Sequence, residues 1–240
     1  PRTVPHATAV AQVHAAVAAA AHRTAVPANL APALEDAAAD KSQVFVDGCV
    51  RSWLEVGVPL CESGDAASPT TVALVGDSHA AMWEPALEPV ARERHWRLLT
   101  MAKVTCPLLD LPIRSPYLGR GYAECVQWRT EVMQRLTAER PKLVVLGMSR
   151  RYGADFGFTA YSQSWLTALT DLVTELREAT GARVLVFGPV PDPHSVVPIC
   201  VSGSLDDALA CAPDRAEALD TDGITAERDA TRRAGGHYVD

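Results

Sequence analysis

At 240 residues with 48% hydrophobic content, the chain is long enough to bury a full core as one domain with a small appendage. A net charge of −7 argues against a nucleic-acid partner, which wants a basic face. No stretch supplies the roughly 20 apolar residues of a spanning helix, and no basic start with an apolar centre marks a signal peptide.

Residues 1–67 read as an arm or linker leading to the domain, alanine-rich and punctuated by proline, with a helix over Ala9–His22. Residues 68–240 then alternate regularly. "TVALV" (Thr71–Val75) is a short apolar β-type run, followed by a helical stretch to about Arg94 whose start Pro85 and Pro89 blur. "RLLTM" (Arg97–Met101) is a second strand. A helix over Tyr122–Arg140 sets Cys125, Trp128, Val132 and Leu136 on one face. "KLVVLG" (Lys142–Gly147) is apolar throughout, as a strand covered on both faces should be. Trp165, Leu169, Leu172, Val173 and Leu176 recur at helical spacing, and Gly181 stops that helix. "RVLVFG" (Arg183–Gly188) is a fourth strand. A polar helical region over about Pro213–Arg233 leads into "HYVD" (His237–Asp240), a fifth. This alternation predicts an α/β fold: three layers, α/β/α, around a parallel sheet of about five strands with right-handed crossovers. In such a sheet, chemistry gathers beyond the carboxyl ends of the strands. Three loops therefore share one rim, Gly76–His79, Lys103–Pro107 and Gly147–Arg151, and Gly188–Cys200 should join them.

The six cysteines form no C-x-x-C pair of a zinc site or redox dithiol, and no metal site is expected. Fifteen connectivities are open to them. The local couples Cys49–Cys61, Cys106–Cys125 and Cys200–Cys211 each bracket a loop-like stretch, and this pairing is the expectation, in an oxidising compartment.

The apolar run Thr71–Val75 stops at Gly-Asp-Ser-His. Gly76 permits a tight turn after a buried strand, and Ser78 then opens a helix. A serine there can aim its hydroxyl into a cleft while backbone N–H groups face a developing oxyanion. The plainer reading is an N-cap, which Asp and Ser favour anywhere.

The surrounding residues weigh toward chemistry. "TVALVGDSHAAMWEPAL" (Thr71–Leu87) resembles the first sequence block of SGNH hydrolases, flavodoxin-like esterases and acyltransferases whose nucleophile is the serine of G-D-S. More narrowly, it is similar to SGNH domains fused to membrane-embedded type-three acyltransferases, which modify bacterial cell-surface glycans. "DGC" (Asp47–Cys49), "CESGD" (Cys61–Asp65), "KVTCP" (Lys103–Pro107) and "FGPVPDP" (Phe187–Pro193) belong to the same resemblance. It implies Ser78 as nucleophile, with Asp77 shaping the turn. His79, adjacent to Ser78, is a poor base for its neighbour and suits a supporting role. The usual oxyanion donors, a glycine after the second strand and an asparagine after the third, are replaced here. Lys103 and Thr105 stand in the first place, Ser149 and Arg150 in the second.

The family carries its acid and base as D-x-x-H, where the histidine takes the serine proton and the aspartate holds its tautomer. None of His6, His14, His22, His79, His95, His194 and His237 has Asp three residues before it. The expectation is that a C-terminal segment with D-x-x-H lies beyond this chain, with His194, close to Asp192, as the alternative base.

The resemblance implies O-acyl transfer, of acetyl above all, to a cell-envelope glycan through an acyl-serine. The chain would be the extracytoplasmic domain of a membrane acyltransferase whose embedded part, its partner, lies outside the chain. No cofactor is implied. A carbohydrate esterase or deacetylase on the same fold is the alternative, as is a catalytically incomplete glycan-binding module. A flavodoxin-like phosphate binder is disfavoured by the cysteines and the lack of a glycine-rich loop.

Overall fold

The computed structural model describes residues 6–240, which form two compact units. The larger comprises Lys41–Val190 and Asp220–Asp240. Its seven-stranded sheet contains β1 (Val50–Arg51), β2 (Glu62–Gly64), β3 (Thr71–Gly76), β4 (Arg97–Lys103), β7 (Leu143–Gly147), β8 (Arg183–Phe187) and β9 (His237–Val239). A separate ribbon pairs β5 (Arg114–Ser115) with β6 (Arg120–Gly121).

The strand order is β1-β4-β3-β7-β8-β9, parallel along the whole path. All five strands read from the sequence are present. Two more, β1 and β2, lie in the stretch read as an arm. They share the outer edge of β4: antiparallel β2 pairs with Arg97–Leu99, and β1 pairs with Ala102–Lys103. Neither has an apolar run, so periodicity alone does not reveal them. Cys49–Cys61 cross-links their flanks.

The helices of this unit are α2 (Gln43–Val46), α3 (Ser78–Ala81), α4 (Glu84–Glu93), α5 (Ala123–Glu139), α6 (Gln163–Thr180) and α9 (Thr221–Arg233). Side chains of β3 alternate between two cores. Ala73 and Val75 join Trp128, Val132, Leu136, Trp165, Leu169 and Val173 on one face, whereas Val72 and Leu74 pack with Ala80 and Ala91 on the other. Helices α5 and α6 thus cover one face and α3 with α4 the opposite one. The helical stretch read up to about Arg94 is two helices, broken at Met82–Trp83, and Pro85 sits in the first turn of α4, where its missing N–H costs nothing. Gly181 caps α6 in the left-handed conformation.

Because β3 connects outward to β4 on one side and the chain then returns to β7 on the other, the strand order reverses at β3. A doubly wound sheet opens its crevice at the carboxyl end of such a switch-point strand. That end carries Gly76-Asp77-Ser78.

The smaller unit comprises the residues up to Asp40 and Pro191–Leu219. It contains α1 (His6–Ala20), α7 (Val197–Ser202) and α8 (Arg215–Ala218), with Cys200–Cys211 inside it. Backbone bonds from Val26 N–H to Leu205 (2.8 Å) and from Ala208 N–H to Thr24 (2.6 Å) join its two segments. Val13 and Val17 of helix α1 are exposed.

Candidate functional site

Two glycines bring the β3 and β7 rims together. A Cβ on Gly76, whose φ is +150°, would lie 1.8 Å from the Gly147 carbonyl oxygen, and one on Gly147 would lie 2.7 Å from the Ala80 Cα. The absence of both side chains lets the turn after β3 fold down against β7. The approach is backbone to backbone, so no rotamer change can relieve a substitution.

Asp77 fixes that turn. Its side chain is fully buried, and its two oxygens accept three hydrogen bonds. Oδ1 accepts from His79 N–H at 2.8 Å, capping α3. Oδ2 accepts from Ser149 N–H at 2.9 Å and from Tyr152 Oη at 2.6 Å. Burial first, and then the adjacent Asp77 carboxylate, raise the Tyr152 phenol far above its ordinary pKa and keep it a donor. The carboxylate therefore ties the β3 turn to the loop after β7.

Ser78 is half-buried at the first position of α3. It is not the N-cap, because Asp77 performs that task. Among the described residues, its hydroxyl and its backbone N–H make no hydrogen bond. Helix α3 has only four residues, so its start offers individual N–H groups rather than a macrodipole. Thr105, in the loop after β4, has φ +44° and a buried hydroxyl with no partner.

The remaining sequence candidates have defined partners. The Lys103 ammonium is fully buried and donates to the carbonyls of Ser52 (2.6 Å), Trp53 (3.3 Å) and Glu55, above the Tyr122 ring. Ser149 Oγ accepts from Arg151 N–H at 3.1 Å. Arg150 is buried, with a bidentate pairing to Glu227 (Nε at 3.2 Å, Nη2 at 2.7 Å) and further bonds to the Phe187 and Met148 carbonyls. Burial opposes the Arg150 cation, but Glu227 outweighs it and the net shift is upward. Glu227 also accepts from Trp165 Nε1 and Tyr238 Oη, both at 2.8 Å, so this pair clamps the loop after β7 to α6, α9 and β9. The Arg150 side chain, 5% exposed, is thus held inside the fold. In the smaller unit, His194 has φ +51°, with Nδ1 3.7 Å from Asp192 and Nε2 3.0 Å from the Glu217 carbonyl.

Sequence reading brings out neither Tyr152 nor Glu227. Glu227 had one available signal: it is the acidic residue on the face of α9 that also carries Gly223, Ala230 and Thr231. Tyr152 had none, since its partner lies 75 residues away. A groove of about 740 Å³ also opens between α5 and α6, lined by Leu108, Arg129, Met133 and Leu172 among others; none of the sequence candidates lines it. No group of three or more metal-ligating side chains occurs among the described residues.

Comparison with solved structures finds the periplasmic domain of a lipopolysaccharide acetyltransferase from Salmonella ser. Paratyphi A. It is 17% identical, with a TM-score of 0.53, over 82% of this chain and 69% of that one. At that identity the likeness speaks for the fold. No curated protein matches. The sequence profile of a family described as "SGNH domain (fused to AT3 domains)" matches residues 47–230, from the "DGC" triplet into α9. With that match spanning most of the chain, and with G-D-S at the carboxyl end of the switch-point strand, the protein belongs to the family of SGNH domains fused to AT3 domains.

Proposed function

We propose that this chain is the extracytoplasmic domain of a membrane acyltransferase and that Ser78 carries an acyl group, acetyl in the first instance, to a hydroxyl of a cell-envelope glycan. The observation that carries this reading is the division of labour at the turn. Asp77 accepts from three donors, whereas the adjacent Ser78 hydroxyl has no hydrogen-bond partner among the described residues. In the forward step Ser78 Oγ attacks the acyl carbonyl, its proton passes to a base, and the donor's leaving group departs. In the second step a sugar hydroxyl attacks the acyl-serine, and Ser78 regains its proton. The N–H groups of Ser78 and of the strained Thr105 are the proposed donors to the tetrahedral oxygen, each contributing a few kcal/mol. Asp77 positions the turn, and His79 supports it. Family membership supports a membrane-embedded AT3 domain as the partner, and three disulfides support an oxidising compartment.

The serine needs a base. Among the described residues no imidazole is hydrogen-bonded to Ser78. An activated ester tests the serine itself. On p-nitrophenyl acetate we expect slow turnover that is lost in Ser78→Ala, together with a single acetyl adduct on the Ser78 peptide by mass spectrometry. Turnover unchanged in Ser78→Ala would sink the serine mechanism. Loss in His194→Ala would identify His194 as the base. Water accepting the acyl group faster than any sugar would favour the esterase reading.

A further inference from the structure

The rim that carries Ser78 also carries a group of aromatic side chains to which the reaction at the serine gives no task. Trp53, in the loop after β1, and Tyr117, at the tip of the β5–β6 ribbon, lie with ring centroids 4.6 Å apart and planes inclined at 40°. Tyr117 is 69% exposed, so one side of this pair is open to solvent. From it, ring contacts run to Phe156 (6.5 Å) and on to Tyr152 (5.0 Å), whose hydroxyl holds Asp77 beside Ser78. The strand order gives the same placement. Trp53 follows β1, Ser78 follows β3, and only β4 lies between them, a lateral distance of roughly 10 Å at the usual strand spacing.

The loop that carries Trp53 is tied down by several hydrogen bonds. The Lys103 ammonium holds the carbonyls of Ser52, Trp53 and Glu55, Arg51 Nη2 donates to Val56 O at 2.9 Å, and Gly57 N–H donates to Glu131 at 2.7 Å. Across from that loop, Tyr122 packs on Trp53 at 5.8 Å and donates from Oη to Val104 O at 3.0 Å, while Cys106–Cys125 closes the base of the ribbon. A preorganised aromatic face loses little entropy on binding. It also selects its ligand. The C–H-rich face of a pyranose ring is apolar and weakly positive, and it matches the negative face of an aromatic quadrupole, while the sugar hydroxyls stay in water at the ring edge. We propose that Trp53 and Tyr117 form a stacking subsite for a pyranose ring of the acceptor glycan, seating it so that a neighbouring hydroxyl reaches Ser78. The inference rests on the acyl-transfer reading for the ligand's role, but binding at the platform needs no chemistry.

The test therefore measures binding without an acyl donor. The intact chain is titrated with cellohexaose, maltohexaose, mannohexaose and the N-acetylglucosamine hexamer. Saturation-transfer NMR and tryptophan fluorescence report binding. We expect weak binding of at least one, with saturation concentrated on C–H protons of one ring face. Tyr117→Ala, at a largely exposed position, should weaken it about tenfold with the Tm little changed, and Tyr117→Phe should keep it, because the ring and not the hydroxyl does the stacking. No binding to any of the four, or equal binding by Tyr117→Ala, would overturn the platform. Either result leaves the Ser78 ester assay standing, and a failed ester assay leaves the binding result standing.

Discussion

At the residue scale, two buried charged groups at this rim are bound into the fold in opposite ways. Asp77 receives three donors from its own turn and from the β7 loop, so the carboxylate is fully solvated by protein. Lys103 receives carbonyls instead, and burial lowers the pKa of its ammonium to about 8 from an ordinary 10.5, with the Glu124 charge opposing the shift. The consequence for stability has a definite sign. Between pH 8 and 10.5 the unfolded chain keeps the lysine proton and the folded chain has lost it, so this site's contribution to stability rises with pH across that window. Below the window both states are protonated and the contribution is constant. Thermal unfolding of the wild type and Lys103→Met should show a Tm difference that is level below about pH 7.5 and moves in favour of the wild type toward about pH 10. A level difference over the whole range would mean that the amine titrates normally. The Arg150–Glu227 pair is a third case, a desolvated salt bridge whose geometry also satisfies Trp165 and Tyr238. Breaking one partner of such a pair leaves an uncompensated buried charge, which is the costly outcome.

At the element scale, the short helix α3 is seated by contact between backbones. Its start packs against Gly147 at the end of β7, while Gly76 at the end of β3 meets the Gly147 carbonyl. Gly147→Ala would place a methyl group 2.7 Å from Ala80 Cα, so the strand end or the helix must shift. Overpacking of this kind costs about 1–3 kcal/mol. In a chain of this size that lowers Tm by roughly 2–4 °C per kcal/mol. Gly76→Ala should cost more, since its Cβ would collide with a carbonyl oxygen at 1.8 Å and the residue has φ +150°. Differential scanning fluorimetry orders the two. Equal Tm values for both variants and the wild type would contradict the close approach. The same shift moves the Ser78 N–H, so ester turnover should fall in Gly147→Ala even at temperatures where the protein remains folded. The break between α3 and α4 belongs to this scale too: β3 must hand over to a turn that seats Ser78 before the chain can run as a ten-residue helix across the sheet.

At the scale of the whole molecule, three cross-links hold loops of similar size, separated by 12, 19 and 11 residues. Loop-closure entropy varies only with the logarithm of length, so the three contribute alike, about 3 kcal/mol each in that description. Burial separates them. Cys106 and Cys125 are both fully buried, whereas Cys200 and Cys211 are partly exposed. Under mild reductant, pulse alkylation read by mass spectrometry should label Cys200 and Cys211 first and Cys106 and Cys125 last. Simultaneous labelling of all six would mean that reduction follows global unfolding. The nearest-neighbour pairing was legible in the sequence because each couple brackets one local loop. So were five strands of the parallel sheet: β3, β4, β7 and β8 carry runs of five to seven residues that are buried in alternation with helices, and the three-residue β9 follows the last of those helices. The G-D-S turn at the end of the first was equally legible. The strands β1 and β2 were not, because neither carries an apolar run and both pair only along the outer edge of β4. Nor did the sequence determine what Lys103 and Arg150 do: a long cation beside a turn reads the same whether it faces solvent or a cage of carbonyls. Tyr152 on Asp77, and Glu227 on Arg150, are contacts across more than 70 residues, and only the closing of the sheet brings them together.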